Sequence, residues 1–225
     1  MVFVRLALAA IGLVSTLAFA SPNDPRQGAE YTGLAARMAV QAPAPKVEVV
    51  EFFMYHCPFC YQLEPELAAW VKKQGDAIVF RRVHVPFTGA GDPEAHLFLT
   101  LEAMGKADAM FAKVEHAVHV ERIRLVKDDA IIEWAGKNGI DKAAFLDAWN
   151  SFGVATAMRR LPRIIGEYHV DSAPTLVVNG RYVTSPAQAA SRSAEQAPDA
   201  ANKAVLVVLD ALVAKSRAEN AAAQK

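Results

Sequence analysis

The chain has 225 residues, enough for one well-packed domain carrying an insertion. Its 24 Lys and Arg balance its 24 Asp and Glu without a long run of either sign, which argues against a nucleic-acid binder and the basic patch it would need. A hydrophobic content of 53% excludes a disordered chain, and two cysteines only three apart exclude a small secreted scaffold held by scattered disulfides.

The N-terminus sets the compartment. Arg5 precedes an apolar run from Leu6 to Phe19, and Ala18-Phe19-Ala20 puts small residues where a signal peptidase reads. Residues 1–20 therefore read as a cleaved secretory signal peptide. The competing reading is a retained anchor. The run falls short of the roughly 20 apolar residues a spanning helix needs. Pro22, Asn23 and Asp24 follow it in place of a basic cluster. A mature chain from Ser21, outside the cytoplasm, is expected.

A polar lead-in with Pro22 and Pro25 and a turn-rich stretch at Pro43 and Pro45 come next. Lys46–Tyr55 is β-branched, aromatic and nearly continuous in its apolar character, as a central strand buried on both faces requires. The cysteine pair follows at once. Leu63, Leu67, Trp70 and Val71 then recur at helical spacing, so Cys57 lies where a strand meets a helix N-terminus. Pro58 suits the first helical turn, and Pro65 is expected to kink the helix. Strand character returns over Ala77–Phe87, completing a β-α-β unit.

From Asp92 to about Glu167 the pattern is helical. Asp92 caps a helix with Phe98, Leu101 and Met104 on one face; a second starts at Asp128 with Ile131 and Trp134; Asp141 caps a third with Phe145 and Trp149. Leu176–Val178 and Tyr182–Thr184 flank Asn179-Gly180, a strong hairpin signal. Ala201–Arg217 is an amphipathic helix carrying Val205, Val208, Leu209 and Leu212, and the Ala-rich tail after Ala218 is expected to fray.

The chemistry rests on Cys57-Pro58-Phe59-Cys60. On the first turn of a helix two cysteines three apart come within bonding reach. The unpaired N–H groups of that turn favour a thiolate at the first one. Cys57 is thus the expected nucleophile and Cys60, a turn further in, the resolving thiol. A zinc site would need about four ligands, and only two thiolates exist. An inert disulfide across three residues would close too small a loop to gain much entropy. Thiol–disulfide exchange is the remaining reading. His116 and His119 are read as a solvated helix face, and no metal or cofactor is expected.

Glu51-Phe52-Phe53, Cys57-Pro58-x-Cys60-Tyr61-Gln62, Val83-His84-Val85, Ala148-Trp149-Asn150-Ser151-Phe152 and Val178-Asn179-Gly180, in that order, resemble the DsbA family of periplasmic thiol:disulfide oxidoreductases over most of the mature chain. The resemblance implies an α/β thioredoxin fold with an inserted helical domain. The chain then divides into a signal peptide (1–20), a first thioredoxin-like part (21–91), the helical insertion (92–166) and a second thioredoxin-like part (167–225). It implies that Pro174, after Ala173, is a cis proline beside the pair that helps hold an extended substrate. It implies a buried acid, Glu51, that moves protons for Cys60, with Arg82 where relatives commonly have lysine. Phe59 replaces the histidine of the best-known members, which leaves His56 as a candidate for tuning Cys57. Ser172-Ala173 is smaller than is common in the family. The implied partners are reduced, unfolded exported proteins and a DsbB-like membrane oxidant, with the protein itself a monomer. The alternatives are an exported reductase or isomerase working from the reduced pair, and a peptide-binding chaperone without redox turnover.

Overall fold

The computed structural model describes residues 24–193 and 197–223; the expected signal segment lies outside them. The architecture grows from Val47–Phe53 (β2), whose seven residues are all buried. A short edge strand, Thr32–Gly33 (β1), precedes it. The helix Pro58–Gln74 (α1) and a 3₁₀ turn, Gly75–Ala77, lead into Ile78–His84 (β3), which pairs parallel to β2 with Glu51 opposite Arg82. Pro65 lies inside α1 without ending it.

Five helices separate β3 from the next strand: Pro93–Ala103 (α2), Ala107–His119 (α3), Asp128–Lys137 (α4), Lys142–Trp149 (α5) and Phe152–Glu167 (α6). Periodicity locates α2, α4 and α5, and the helix expected at His116 and His119 is the last turn of α3; the bounds of α3 and all of α6 are additions of the structure. Asp92 and Asp141 cap α2 and α5 as expected, accepting from the N–H groups of Ala95 and Ala144 at 2.9 and 2.8 Å. Ser151 caps α6 in the same way, accepting from Val154 N–H.

Thr175–Val178 (β4) and Tyr182–Thr184 (β5) form the expected antiparallel hairpin, followed by Pro186–Ala189 (α7) and Pro198–Ala222 (α8). The sheet order is β1-β5-β4-β2-β3. This is a thioredoxin-like sheet interrupted by a helical region. Two cores lie on its two faces. Val47, Val49, Leu176 and Val178 pack with Leu63, Leu67 and Trp70 of α1 and Val205, Leu209 and Leu212 of α8. Val50, Phe52 and Val177 pack into the inserted helices, with Phe98, Phe111, Trp134, Phe145 and Trp149. At about 1.5–3 kcal/mol for each fully buried large side chain, these layers hold the sheet in place beneath the cysteine pair.

The tail corrects the sequence reading. It does not fray after Ala218 but stays helical to Ala222. Glu219 accepts from the Tyr182 hydroxyl, and Asn220 accepts from Arg37 and from Asn179 at 3.0 and 3.1 Å. Those bonds hold α8 against the Asn179-Gly180 turn. Both turn residues have positive φ, 56° and 62°, as a tight hairpin turn of this twist requires. A Cβ on Gly180 would also stand 2.5 Å from the Met38 carbonyl oxygen. Gly180→Ala should therefore lower stability by at least about 1–2 kcal/mol, read as a shift in urea midpoint. An unchanged midpoint would show that neither the φ value nor the Met38 contact constrains this turn.

Candidate active site

Cys57 is the N-cap of α1, with extended backbone (φ −77°, ψ 114°) and Pro58 at the first helical position. The turn before it closes through Cys57 N–H to the Met54 carbonyl, and the helix opens with Tyr61 N–H to the Cys57 carbonyl, both at 3.1 Å. Burial of β2 on both faces thus fixes where the chain ends its strand, and Pro58 fixes where the helix starts. Both cysteines are nearly covered, Cys57 at 5% and Cys60 at 2% exposure. The Cys57 thiol reaches the Ala173 carbonyl at 3.4 Å. The Ala173–Pro174 peptide bond is cis, and so is Ala44–Pro45. Pro174 therefore has the expected geometry in a loop that touches Cys57.

The two sulfurs differ sharply. Cys57 is drawn down to about 6, first by the hydrogen bond from the Cys60 thiol. Burial opposes this, while the N–H groups of Cys60 and Phe59 and the charge of His56 assist it. Cys60 is pushed far up by that same bond, by burial and by the Cys57 charge. A thiolate at Cys57 and a thiol at Cys60 is the arrangement an exchange pair needs, because the thiolate attacks and also leaves easily.

Beneath the pair, Glu51 is 1% exposed and accepts from Arg82 Nε at 2.9 Å. The expected acid–arginine pair is thus formed. What the sequence reading missed is that Arg82 is shared. Its Nη2 also donates to both oxygens of Glu64, at 2.9 and 2.7 Å. Glu64 stands four residues after Cys60, on the same helical face, and this spacing was the available signal. One guanidinium between two carboxylates cannot fully hold either. Burial pushes Glu51 up to about 7, with Arg82 opposing and Glu64 assisting. Glu115 of α3 is a third buried acid, raised to about 8 by burial and by the Glu64 and Glu51 charges. The site therefore holds carboxyl groups that exchange protons near neutral pH.

The histidines are placed more specifically than the sequence indicated. His56 donates Nδ1–H to Glu94 of α2 at 2.6 Å. His84 is fully buried, and its Nε2 accepts from Tyr55 N–H at 3.2 Å. His119 corrects the reading of a solvated face: its ring stacks on Tyr61 at 4.4 Å and its Nε2 donates to the Tyr55 carbonyl at 2.7 Å. This ties α3 to the turn that carries the pair. No cluster of three or more His, Cys, Asp or Glu suited to a metal occurs among the described residues.

An apolar groove of about 420 Å³ runs beside the pair, lined by Phe59, Ala173, Pro174, Pro186, Ala190 and Ala201 among others. Phe59 is 58% exposed at its rim, an apolar contact placed where a chain entering the groove would meet it.

The asymmetry of the pair has a direct spectroscopic consequence. Thiolate absorbance of the reduced protein should rise in one step centred near pH 6, absent in Cys57→Ser and retained in Cys60→Ser. Cys60 should stay protonated through pH 9. Two sulfurs titrating together would contradict the assignment.

Comparison with known proteins agrees with this geometry. The family model Thioredoxin_4 (Thioredoxin) matches residues 35–196. The thiol:disulfide interchange protein DsbA of Burkholderia cepacia is 39% identical over 180 residues, 80% of this chain and 85% of that protein. DsbA of Bordetella parapertussis is 35% identical over 215 residues, 96% and 97% of the two chains. Among solved structures, Pseudomonas aeruginosa DsbA superposes with a TM-score of 0.75 at 33% identity, covering 88% of this chain and 96% of that one. DsbA of Xylella fastidiosa superposes at 0.73 with 26% identity, covering 86% and 98%. A strand–Cys57-Pro58-Phe59-Cys60–helix site, on a thioredoxin-like sheet with α2–α6 inserted, in a chain matched along nearly its whole length by such relatives, belongs to the DsbA family of thiol:disulfide interchange proteins.

Proposed function

We propose that the oxidised Cys57–Cys60 pair donates its disulfide to reduced, unfolded proteins exported to the periplasm. The observation that carries this reading is the placement of Cys57 as the N-cap of α1, with Cys60 one turn further in and more covered, which favours a thiolate at the first sulfur and not at the second. A substrate thiolate attacks the Cys57 sulfur. The Cys57–Cys60 bond breaks, a mixed disulfide forms at Cys57, and Cys60 leaves as a thiolate that takes up a proton. Glu51, raised by burial to about 7 against the pull of Arg82, is the donor for that proton. A second substrate thiolate then attacks the substrate's own sulfur in the mixed disulfide and releases Cys57. The substrate gains a disulfide and the pair gains two electrons. Because the Cys57 thiolate is stabilised, it leaves readily and the reduced form is favoured, which drives the transfer forward.

Pro174, Ala173 and Phe59 are proposed to hold the substrate chain in the groove, and Pro58 to fix the helix start. Regeneration requires an oxidant that takes two electrons, for which a DsbB-like membrane protein is proposed. The protein would act as a monomer, exported after removal of residues 1–20. Its thioredoxin-like parts would be 21–91 and 167–225, flanking a helical domain at 92–166. No cofactor enters any step.

The test uses oxidised protein and an excess of a reduced peptide with two cysteines. Two peptide thiols should disappear for each pair reduced, and Cys57→Ser should abolish this. Reduced Cys60→Ser, mixed with a disulfide-containing peptide, should hold it as a mixed disulfide for want of the resolving thiol. Binding of an unfolded peptide retained in Cys57→Ser, with no peptide thiols consumed even by wild type, would favour a chaperone. An oxidised pair that leaves the peptide reduced would favour a reductase.

A further inference from the structure

We propose that Glu94 is a positioning residue for the exchange reaction, holding the imidazole of His56 as a cation next to Cys57 so that a histidine before the pair supplies the charge that Phe59, inside it, lacks. The inference rests on the reading of Cys57 as the attacking and leaving sulfur.

Glu94 lies in the first turn of α2 and is 4% exposed. A buried carboxylate needs a counter-charge. Among the described residues its ion-pair partners are both histidines: His56, whose Nδ1 lies 2.6 Å from Glu94 Oε2, and His84, whose Nε2 lies 3.8 Å from the same oxygen. The two imidazoles compete for one carboxylate, and their surroundings decide between them. His84 is wholly buried, and its Nε2 lone pair already accepts the Tyr55 N–H. Burial holds it down to about 3, so it is neutral at any ordinary pH. The His56 side chain is 38% exposed, so water solvates part of its charge, and its bond to Glu94 is short enough to be charge-assisted.

The groups around His56 favour its charged form. From α2 come Glu94 and the capping Asp92, and from α1 comes the Cys57 thiolate. From β3 comes only the neutral His84. The hydrogen bond to Glu94 is the largest influence, raising His56 against the cost of burial, with the charges of Glu94, Asp92 and Cys57 adding to it. Asp92 is itself fixed, accepting from Thr88 and from Ala95 N–H. The Phe87 ring packs edge-on against the imidazole at 5.2 Å. Glu94 and Phe87 thus contact His56 on two sides, and its charge acts to stabilise the thiolate of the next residue.

The sign of one substitution separates this role from simple electrostatics. If Glu94 acted on Cys57 directly, removing its negative charge would make the thiolate easier to form. Acting through His56, the same change lowers the His56 midpoint, discharges the imidazole and makes the thiolate harder to form. Glu94→Gln keeps the size and an oxygen acceptor. The Cys57 thiolate titration, the His56 ring titration by NMR and the equilibrium with glutathione would be compared for wild type, Glu94→Gln, His56→Ala and the double variant. Glu94→Gln should weaken thiolate formation by roughly threefold to tenfold, shift the pair toward the disulfide and lower the His56 midpoint. In the His56→Ala background the same substitution should not weaken it further. A Cys57 midpoint that falls or stays in Glu94→Gln, or that rises equally without His56, would overturn the proposal.

The wild-type protein supplies an independent check should Glu94→Gln not fold. His56 should titrate above the ordinary imidazole value of about 6.5, and higher with the pair reduced than oxidised. A midpoint at or below that value in both forms would overturn the proposal. Peptide oxidation by wild type, run alongside, reports on the disulfide-donor reading separately from either titration.

Discussion

A sulfur held at the open end of a helix in a nearly dry site is the constraint on which this molecule depends. With Cys57 only 5% exposed, water reaches little of the thiolate, so the protein must supply most of its solvation. The Cys60 thiol, the N–H groups of Cys60 and Phe59 and the His56 charge do this together. Each is fixed by something further out. The N–H groups are free to serve because Cys57 is the N-cap and Pro58 the first helical residue. The strand that delivers Cys57 is buried on both faces, so it cannot slip in register without exposing its apolar set. The inserted helices cover one of those faces. Through His119 and Glu94 they also touch the turn that carries the pair, His119 stacking on Tyr61 of α1. The gain from the thiolate is present above the ordinary thiol range. It is lost as pH falls through about 6, because the depressed group then takes up its proton.

Proton supply is the complementary problem. Cys60 leaves as a poor thiolate and must be protonated in a site with little water. Burial brings Glu51 up to about 7 against the pull of an arginine that it shares with Glu64. The Glu64 charge adds to that rise, which leaves Glu51 where a group can both give and take a proton. The two histidines facing Glu94 follow the same logic: one carboxylate and two imidazoles, with burial deciding which imidazole carries charge.

The frame of this site was legible in the sequence where a local rule acts alone. The unbroken apolar character of Val47–Phe53, the Asn179-Gly180 turn and the caps Asp92 and Asp141 each have one local conformational solution, and the structure adopts it. The pair itself was legible because strand, cysteine, proline and helix are contiguous. Glu51, Arg82 and Pro174 came from family resemblance and not from periodicity. Beyond that, the site is assembled from residues with no local signal. Glu94 is 38 positions from His56, and nothing in either segment points to the other. Glu115 appears as an ordinary helical acid until α3 is folded against Arg82. The groove needs Pro186, Ala190 and Ala201 to converge on Pro174. The C-terminal tail looked loose because alanine carries no packing information; Glu219 and Asn220 hold it through partners far away in sequence.

The protein stabilises its reduced pair by solvating one sulfur. The most direct measurement is the equilibrium of the purified protein with reduced and oxidised glutathione at neutral pH, followed by thiol labelling. A pair stabilised in this way should have a reduction potential above the glutaredoxin range, higher than about −200 mV. A potential near that of a reducing thioredoxin, about −270 mV, would contradict it. The Cys57 thiolate would then not be selectively stabilised, and the pair would serve as an electron donor in place of a disulfide donor.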